Sequence, residues 1–343
     1  MSVPLNSSIS WDCSDPNNDS LFYNIFFGTD SIPQLVKRGH PDTTYSGLHL
    51  TAETKYYWKI IVSDSYGAID SSDLWNFTTG AIKSQKRGIA FDLSSAADFT
   101  AISKGISWWY NWGPICNTKT PSSYYQTYGM DFIPMLWGGN TSANDMTLIK
   151  SFILNHSEIQ YLLVMNEPNL TDQANRTPSQ AAANWIKYEQ VISDLATKGR
   201  TVYLVGPAMS WGTMTNYSNP VTWLDAFYNA YKTANNGKEP RIDFLAFHWY
   251  DYGLAAQLDA LKKYNKKIWV TEMANWNSQI NSYSKQAVQM QQMVATCESR
   301  DDVFRYAWFY GRGSFPDNKF TYLFTPNDGE LSDLGKLYIS LPY

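Results

Sequence analysis

Cysteine is scarce in this chain, and the count itself is uninformative about pairing: Cys13, Cys116 and Cys297 are the only three in 343 residues. An odd set builds no disulfide framework, so three free thiols are expected, and only a Cys116–Cys297 link stays open. Histidine is almost as thin. His40, His49, His156 and His248 are scattered, with no Cys/His spacing that suits zinc, so no metal and no cofactor are expected. Lys and Arg do not cluster and the formal net charge is −4, which argues against nucleic acid as a partner. No apolar run approaches the roughly 18 residues a membrane span needs, so none is expected. Residues 2–6 are polar enough that no signal peptide is read at the start. A Gly-rich phosphate loop is missing where a nucleotide-binding sheet would carry it, since the first buried run closes on Asp92-Leu93-Ser94-Ser95.

Aromatic side chains are plentiful instead. The chain has 14 Trp, 24 Tyr and 16 Phe, or 16% of all residues. Most must fill cores. Trp and Tyr also pair a flat apolar face with a polar tip, which suits the C–H faces of sugar rings.

Two patterns divide the sequence. Over residues 1–80, short alternating runs are separated by turn clusters such as Asp15-Pro16-Asn17-Asn18-Asp19 and His40-Pro41-Asp42. Period-two runs at this spacing predict a small all-β sandwich. Ser10-Trp11, the run from Tyr23 to Thr29, Tyr56-Tyr57-Trp58 and Trp75-Asn76-Phe77-Thr78 together resemble the fibronectin type III-like modules of polysaccharide-degrading enzymes, and a spacer without a ligand of its own is the favoured reading. A short linker, 80–86, follows. From Arg87 onward, buried runs at 88–91, 105–110, 130–137, 161–165, 201–205, 242–249, 267–271 and 303–309 alternate with helix-like stretches. Eight such units over 87–343 predict an α/β fold of the (β/α)₈ TIM-barrel type, preceded by the small β domain.

A barrel carries its chemistry where its strands end. The fourth run delivers Asn166-Glu167-Pro168-Asn169, the sixth His248-Trp249-Tyr250, and the seventh Thr271-Glu272. Either glutamate alone reads more readily as half of an ion pair. Ends of strands four and seven face each other across a barrel mouth, and glycosidic cleavage needs two carboxyls so placed. In the retaining geometry they stand about 5–5.5 Å apart.

Asn-Glu-Pro after strand four and a lone Glu after strand seven resemble the clan of retaining (β/α)₈ glycosidases. Further blocks resemble glycoside hydrolase family 128: Arg87-Gly88-Ile89-Ala90-Phe91, Ser107-Trp108-Trp109-Tyr110-Asn111-Trp112-Gly113, Phe132-Ile133-Pro134-Met135-Leu136-Trp137-Gly138, and Ile268-Trp269-Val270-Thr271-Glu272. The resemblance spans 87–343. It implies a β-1,3-glucanase acting on laminarin- or curdlan-type polysaccharide or oligosaccharide, with Glu167 as acid/base and Glu272 as nucleophile. Met273-Ala274-Asn275 after the nucleophile departs from the usual Phe, which bears on subgroup rather than catalysis.

Around that pair, Asn166 is expected to hold the sugar 2-hydroxyl. Tyr250 and His248 are expected to bond the nucleophile or line its subsite. Trp112, Trp137, Trp249, Trp276 and Trp308 lie at strand ends, where sugar platforms belong, and their number favours endo cleavage. Asn111 and Asn140 are weaker polar candidates, and Asp92 reads as a turn cap more than a ligand. The mechanism requires Glu167 protonated and Glu272 ionised with a low pKa. A β-1,4-glucan or mannan substrate and a non-catalytic glycan-binding cleft stay open on the residues alone. Because polymeric glucan stays outside cells, a secreted or surface-displayed monomer is expected.

Overall fold

The computed structural model describes residues 2–3, 7–51, 54–79, 83–139, 141–313 and 320–343. The expected linker therefore lies partly outside the described residues. Two compact units are present, one on residues 1–82 and 126–129, the other on 83–125 and 130–343.

The first unit is all-β. Its strands are β1 (Ser2–Val3), β2 (Ile9–Ser10), β3 (Leu21–Gly28), β4 (Gln34–His40), β5 (Thr44–Tyr45), β6 (Lys55–Asp64), β7 (Ile69–Ser71) and β8 (Trp75–Thr79). One sheet runs β1-β8-β6-β3-β4 with β7 on β6, and β2 pairs β5 separately. Alternation places Tyr23 and Ile25 of β3 and Ile60 of β6 on one face, where they meet Ile9 and Trp11 in a common core.

The second unit carries β9 (Arg87–Ala90), β10 (Trp108–Tyr110), β11 (Asp131–Phe132), β12 (Met135–Leu136), β13 (Tyr161–Val164), β14 (Tyr203–Met209), β15 (Phe244–Trp249), β16 (Ile268–Met273) and β17 (Val303–Trp308). Helices α1 (Ala96–Ile102), α2 (Tyr124–Tyr128), α3 (Ala143–Asn155), α4 (Pro178–Thr197), α5 (Pro220–Ala234), α6 (Leu254–Leu261), α7 (Tyr283–Glu298) and α8 (Asp333–Ser340) alternate with them. The nine strands form one curled parallel sheet in the order β11-β10-β9-β17-β16-β15-β14-β13-β12. Its two end strands, β11 and β12, are neighbours in the chain. The single run expected at 130–137 is broken there at Ile133-Pro134, because Pro134 has no N–H to give a ladder. The fifth run, by contrast, continues past the expected stop at Val205. Gly206-Pro207 sits at a register shift between Val205 and Ala208, and β14 resumes to Met209.

Helix starts are chemically marked. Thr177 and Gln180 form a capping box ahead of Pro178 in α4, and Asn219 caps α5 ahead of Pro220. Inside the sheet's curl, Trp108, Tyr110, Met135, Ala246 and Trp269 pack together. Gly88 is a spacing requirement: a Cβ there would lie 2.3 Å from the Trp108 ring. Among the described residues no helix is long and apolar enough to cross a membrane. The three cysteines are free; Cys297 is buried with Sγ 3.9 Å from Met273 Sδ, so the Cys116–Cys297 link is not formed.

At the strand N-termini, buried Arg87 ties the sheet to the last helix. Its Nε donates to Tyr306 Oη at 2.8 Å, its terminal nitrogens to Tyr338 O at 2.8 Å and Pro342 O at 3.0 Å, and Glu298 completes an ion pair at 3.3 Å. Arg87→Met leaves the Tyr338 and Pro342 carbonyls without their buried donor and takes the ion pair from Glu298, which keeps Tyr306 Oη. It is expected to lower unfolding free energy by about 3 kcal/mol. A urea midpoint equal to wild type would show that Arg87 does not hold this end together.

Candidate active site

The chain leaves β13 through an unusual turn. Met165 and Glu167 both adopt positive φ, 58° and 43°. Such backbone costs about 1–3 kcal/mol per residue and persists only where neighbours fix it. Here both neighbours do. Met165 N–H and Asn166 N–H donate to Leu136 O and Trp137 O on one side, and Glu167 N–H donates to Ala208 O on the other. Glu167 is thereby aimed over the strand ends while 7% exposed. Glu272 comes directly from β16 and is equally buried.

His248 links the two. Its Nδ1 lies 2.8 Å from Glu167 Oε1 and 3.5 Å from Glu272 Oε2, and its Nε2 meets Thr271 Oγ1 at 2.9 Å. The ligand-type atoms of Glu167, His248 and Glu272 all lie within 4.8 Å of one another. The same three side chains resemble a metal-ligand set in spacing only. Glu272 Oε1 already accepts from Tyr110 Oη at 2.6 Å and Trp112 Nε1 at 2.8 Å, and Glu272 Oε2 accepts from Tyr250 Oη. Donors on that carboxylate hold it for proton and nucleophile chemistry rather than for a cation.

The electrostatics follow from burial. Desolvation, with Glu167 adding like-charge repulsion, pushes the Glu272 carboxyl above its ordinary range; His248, Tyr110 and Tyr250 work against that rise. This corrects the expected low value for the nucleophile. Burial alone would lower the His248 imidazole, but Glu272 and then Glu167 hold it above its usual value. Tyr110 and Tyr250 are raised well above the usual phenol value by burial and by Glu272, so both stay protonated as donors.

A cavity of about 530 Å³ opens over the pair. Trp112, Trp137, Asn166, Tyr250 and Trp276 line it together with both glutamates. Asn166 donates to Gln173 Oε1 at 3.3 Å, and its own Oδ1 is buried without a partner. Trp276 stacks on Tyr250 at 3.8 Å between centroids. Trp112 holds positive φ, and its indole is a hydrogen-bond donor to Glu272 as well as a wall.

Two expected platforms are elsewhere. Trp308 is fully buried behind β17, packs against Tyr338 of α8 and donates to Thr321 O. Trp249 faces outward from β15, stacked on Phe247 and bonded to Tyr252 O. Side chains alternate along a strand, so the residues beside them face the mouth: Phe309 next to Trp308, and His248 and Tyr250 on either side of Trp249. Asp92 is not the expected turn cap and does not line the cavity; its carboxylate accepts from the side chains of Asn111 at 3.1 Å and Asn117 at 2.7 Å, which also places Asn111 in that loop network. Asn140 lies outside the described residues. Reading the sequence missed Tyr110, two positions beyond Trp108 on the inward face of β10, and Trp211, which is 39% exposed and edge-on to Tyr250. Period two would have found Tyr110. Trp211 follows β14, whose end was placed too early.

Comparison with known proteins gives consistent relatives. The glycosyl hydrolase catalytic core model matches residues 88–338. The structure is similar to a family 128 (subgroup II) endo-β-1,3-glucanase from Pseudomonas viridiflava, with 50% identity and a TM-score of 0.71 over 76% of this chain and 100% of that one. A subgroup II endo-β-1,3-glucanase from Sorangium cellulosum is 32% identical with a TM-score of 0.65, over 75% of this chain and 98% of that one. Alkali-sensitive linkage protein 1 of Schizosaccharomyces pombe is 29% identical over 75% of this chain, and the chain spans 45% of that longer protein.

Because the Glu272 pKa is raised on folding, its ionised form opposes the fold. Below the unfolded carboxyl pKa of about 4.3 it is protonated in both states and costs nothing; the penalty grows as pH rises through the raised folded value. Glu272→Gln is therefore expected to have the higher urea midpoint at pH 7, with the difference closing toward pH 4. Equal midpoints at pH 7 would contradict the shift.

Proposed function

The chain belongs to glycoside hydrolase family 128, and from that premise we propose that it is a retaining endo-β-1,3-glucanase working by double displacement on laminarin- or curdlan-type glucan. One observation carries the reading: two buried carboxylates lie close across a sugar-sized cavity, with an imidazole on the first and three donors on the second.

In the first step, protonated Glu167 gives its proton to the glycosidic oxygen as Glu272 Oε attacks the anomeric carbon. The C–O bond to the departing sugar breaks, and a glycosyl ester on Glu272 forms. In the second step Glu167, now a carboxylate, takes a proton from water. The water oxygen bonds to the anomeric carbon and Glu272 leaves, so the configuration is retained. The close approach of the two carboxyls supports retention over inversion, whose carboxyls stand about 6.5–9.5 Å apart. His248 keeps one proton within reach of Glu167, while Tyr110, Trp112 and Tyr250 fix the attacking carboxylate. Unpartnered Asn166 Oδ1 suits the 2-hydroxyl of the reacting sugar.

Trp137, Trp211 and Trp276, each between a third and two-fifths exposed, offer sugar faces along an open cavity, which supports cleavage within a chain. Closure of the curled sheet into a (β/α)₈ barrel belongs to the same reading, supported by end strands only two residues apart in the chain. We also read the first unit as a fibronectin type III-like spacer, supported by its two sheets and aromatic core, and the enzyme as an exported monomer.

Glu167→Gln and Glu272→Gln are each expected to lower laminarin hydrolysis by about 10³-fold or more. Proton NMR of the first-formed product should show the β-anomer. Near-normal reducing-end release by either variant, an α-anomeric first product, or preferential cleavage of cellulose or mannan oligomers would each overturn the assignment.

A further inference from the structure

A second cavity, of about 450 Å³, opens beside the catalytic one and shares Trp112, Trp137 and Gln173 with it. The rest of its wall includes Thr141, Asp145 and Arg176. None of these has a role in the two displacement steps.

Arg176 is the feature that needs a reason. Its backbone is fixed: Arg176 N–H donates to Pro168 O at 2.8 Å, and Trp223 Nε1 donates to Arg176 O at 2.9 Å. Its aliphatic stem lies against the Gly139 backbone so closely that a Cβ at 139 would be 2.6 Å from Arg176 Cγ. That loop is itself held, since Thr141 Oγ1 and Tyr188 Oη both donate to Gly138 O at 2.9 Å. The guanidinium, in contrast, has no carboxylate within ion-pair distance among the described residues. Its Nε is buried with no acceptor at all. Every other buried or half-buried arginine among the described residues has at least one acceptor: Arg87 and Glu298, Arg200 and the carbonyls of Ile153 to Ile159, Arg300 and Asp302, Arg305 and Asp131, Arg312 and Asp98. Burying a charged donor unpaired is costly, so a fixed, unpaired fork in a cavity wall is organised for an acceptor that arrives with a ligand.

The wall also states what kind of ligand fits. Trp137 is 38% exposed and offers an indole face. Asp145 offers a carboxylate, although Ser142 already donates to one of its oxygens at 2.7 Å. An aromatic face, a planar donor fork and a carboxylate acceptor are the complement of a hexose: apolar C–H face, paired hydroxyls as acceptors, and hydroxyl hydrogens as donors. An anionic group would meet Asp145 on the same wall. Trp137 is common to both cavities, so the two adjoin along one wall.

We propose that the cavity walled by Trp137, Asp145 and Arg176 is a distal glucosyl-binding subsite, and that Arg176 sets the enzyme's preference for long chains by donating to hydroxyls of a neutral glucosyl residue remote from the cleaved bond. The inference rests on the glucanase reading.

The test measures kcat/KM for laminari-oligosaccharides of three to seven units, with wild type and Arg176→Gln, at two salt concentrations. Wild type should show a step in kcat/KM at one chain length. Arg176→Gln should remove that step, a loss of about tenfold for longer substrates, and leave shorter ones unchanged, which also shows that the variant folds. Gly139→Ala, which pushes the guanidinium aside, should remove the same step. Salt should have no effect on its size. An equal loss at every length, no loss, or a step that shrinks with salt overturns the proposal. Wild type that cleaves no β-1,3-glucan sinks the function instead. The subsite is then decided by calorimetric affinity for laminarihexaose, which must still weaken about tenfold in Arg176→Gln.

Discussion

Two carboxylates and one imidazole, all buried, share a space less than 5 Å across, and the rest of the second unit is arranged around the difficulty of keeping them there. Taking a carboxylate out of water is expensive, and a second one beside it compounds the expense. What offsets it is donors. Glu272 receives two phenols and an indole, and Glu167 receives an imidazole that Thr271 holds from the other side. Each donor is large and aromatic, so the groups that satisfy the charge also exclude water from it. Burial and like-charge repulsion pull the Glu272 charge state one way, and its donors and His248 pull it the other.

Holding such a site requires rigid backbone, and the rigidity is local and identifiable. Three non-glycine residues at the mouth, Trp112, Met165 and Glu167, sit in left-handed conformations. Around Met165 and Glu167 the hydrogen bonds alternate between the two flanking strands, so neither residue relaxes without breaking a ladder. Opposite the mouth, Arg305 lies over the rings of Tyr161 and Trp269 at 5.1 and 5.0 Å and pairs with Asp131. Cation–π contacts there fill the inside of the curl with a side chain that also links two strands. Strain sits where the chemistry is, and dense packing sits where it is not.

Much of this was legible from the sequence because it obeys simple periods. Apolar runs alternating with helix-like stretches gave the strand and helix order. Glu167 and Glu272 stood out because each interrupts an apolar run at its end. What the sequence did not reveal was facing. Trp249 and Trp308 end their strands as the other tryptophans do, yet alternation turns both outward, and the mouth receives His248, Tyr250 and Phe309 instead. Counting parity from a known inward residue would have separated them. Bulges defeat such counting: registers shift in β14, β15 and β16, all beside the site. The Glu272 pKa was also out of reach, since it depends on how deeply the carboxyl is buried and not on which residues adjoin it in sequence.

The break at Ile133-Pro134 has a consequence for shape. Along this run up to Leu136, odd positions face β10 and even positions face β13. Ile133 and Met135 donate to Trp109 O and Gly113 O, the latter beyond the end of β10, while Pro134 offers β13 only its carbonyl, which accepts from Leu163 N–H. The pair of residues in β12 joins β13, and the carbonyl of Trp137, just beyond, accepts from Asn166 N–H. The run thus bridges its two neighbours, β11 on β10 and β12 on β13. The bonds from Leu136 and Trp137 give the Asn166–Glu167 turn its support on one side, and Trp137 stands half-exposed at the boundary of both cavities. The catalytic turn and the aromatic wall beside it therefore hang on one stretch of backbone, Leu136-Trp137, whose carbonyls hold the turn while the Trp137 ring forms the wall.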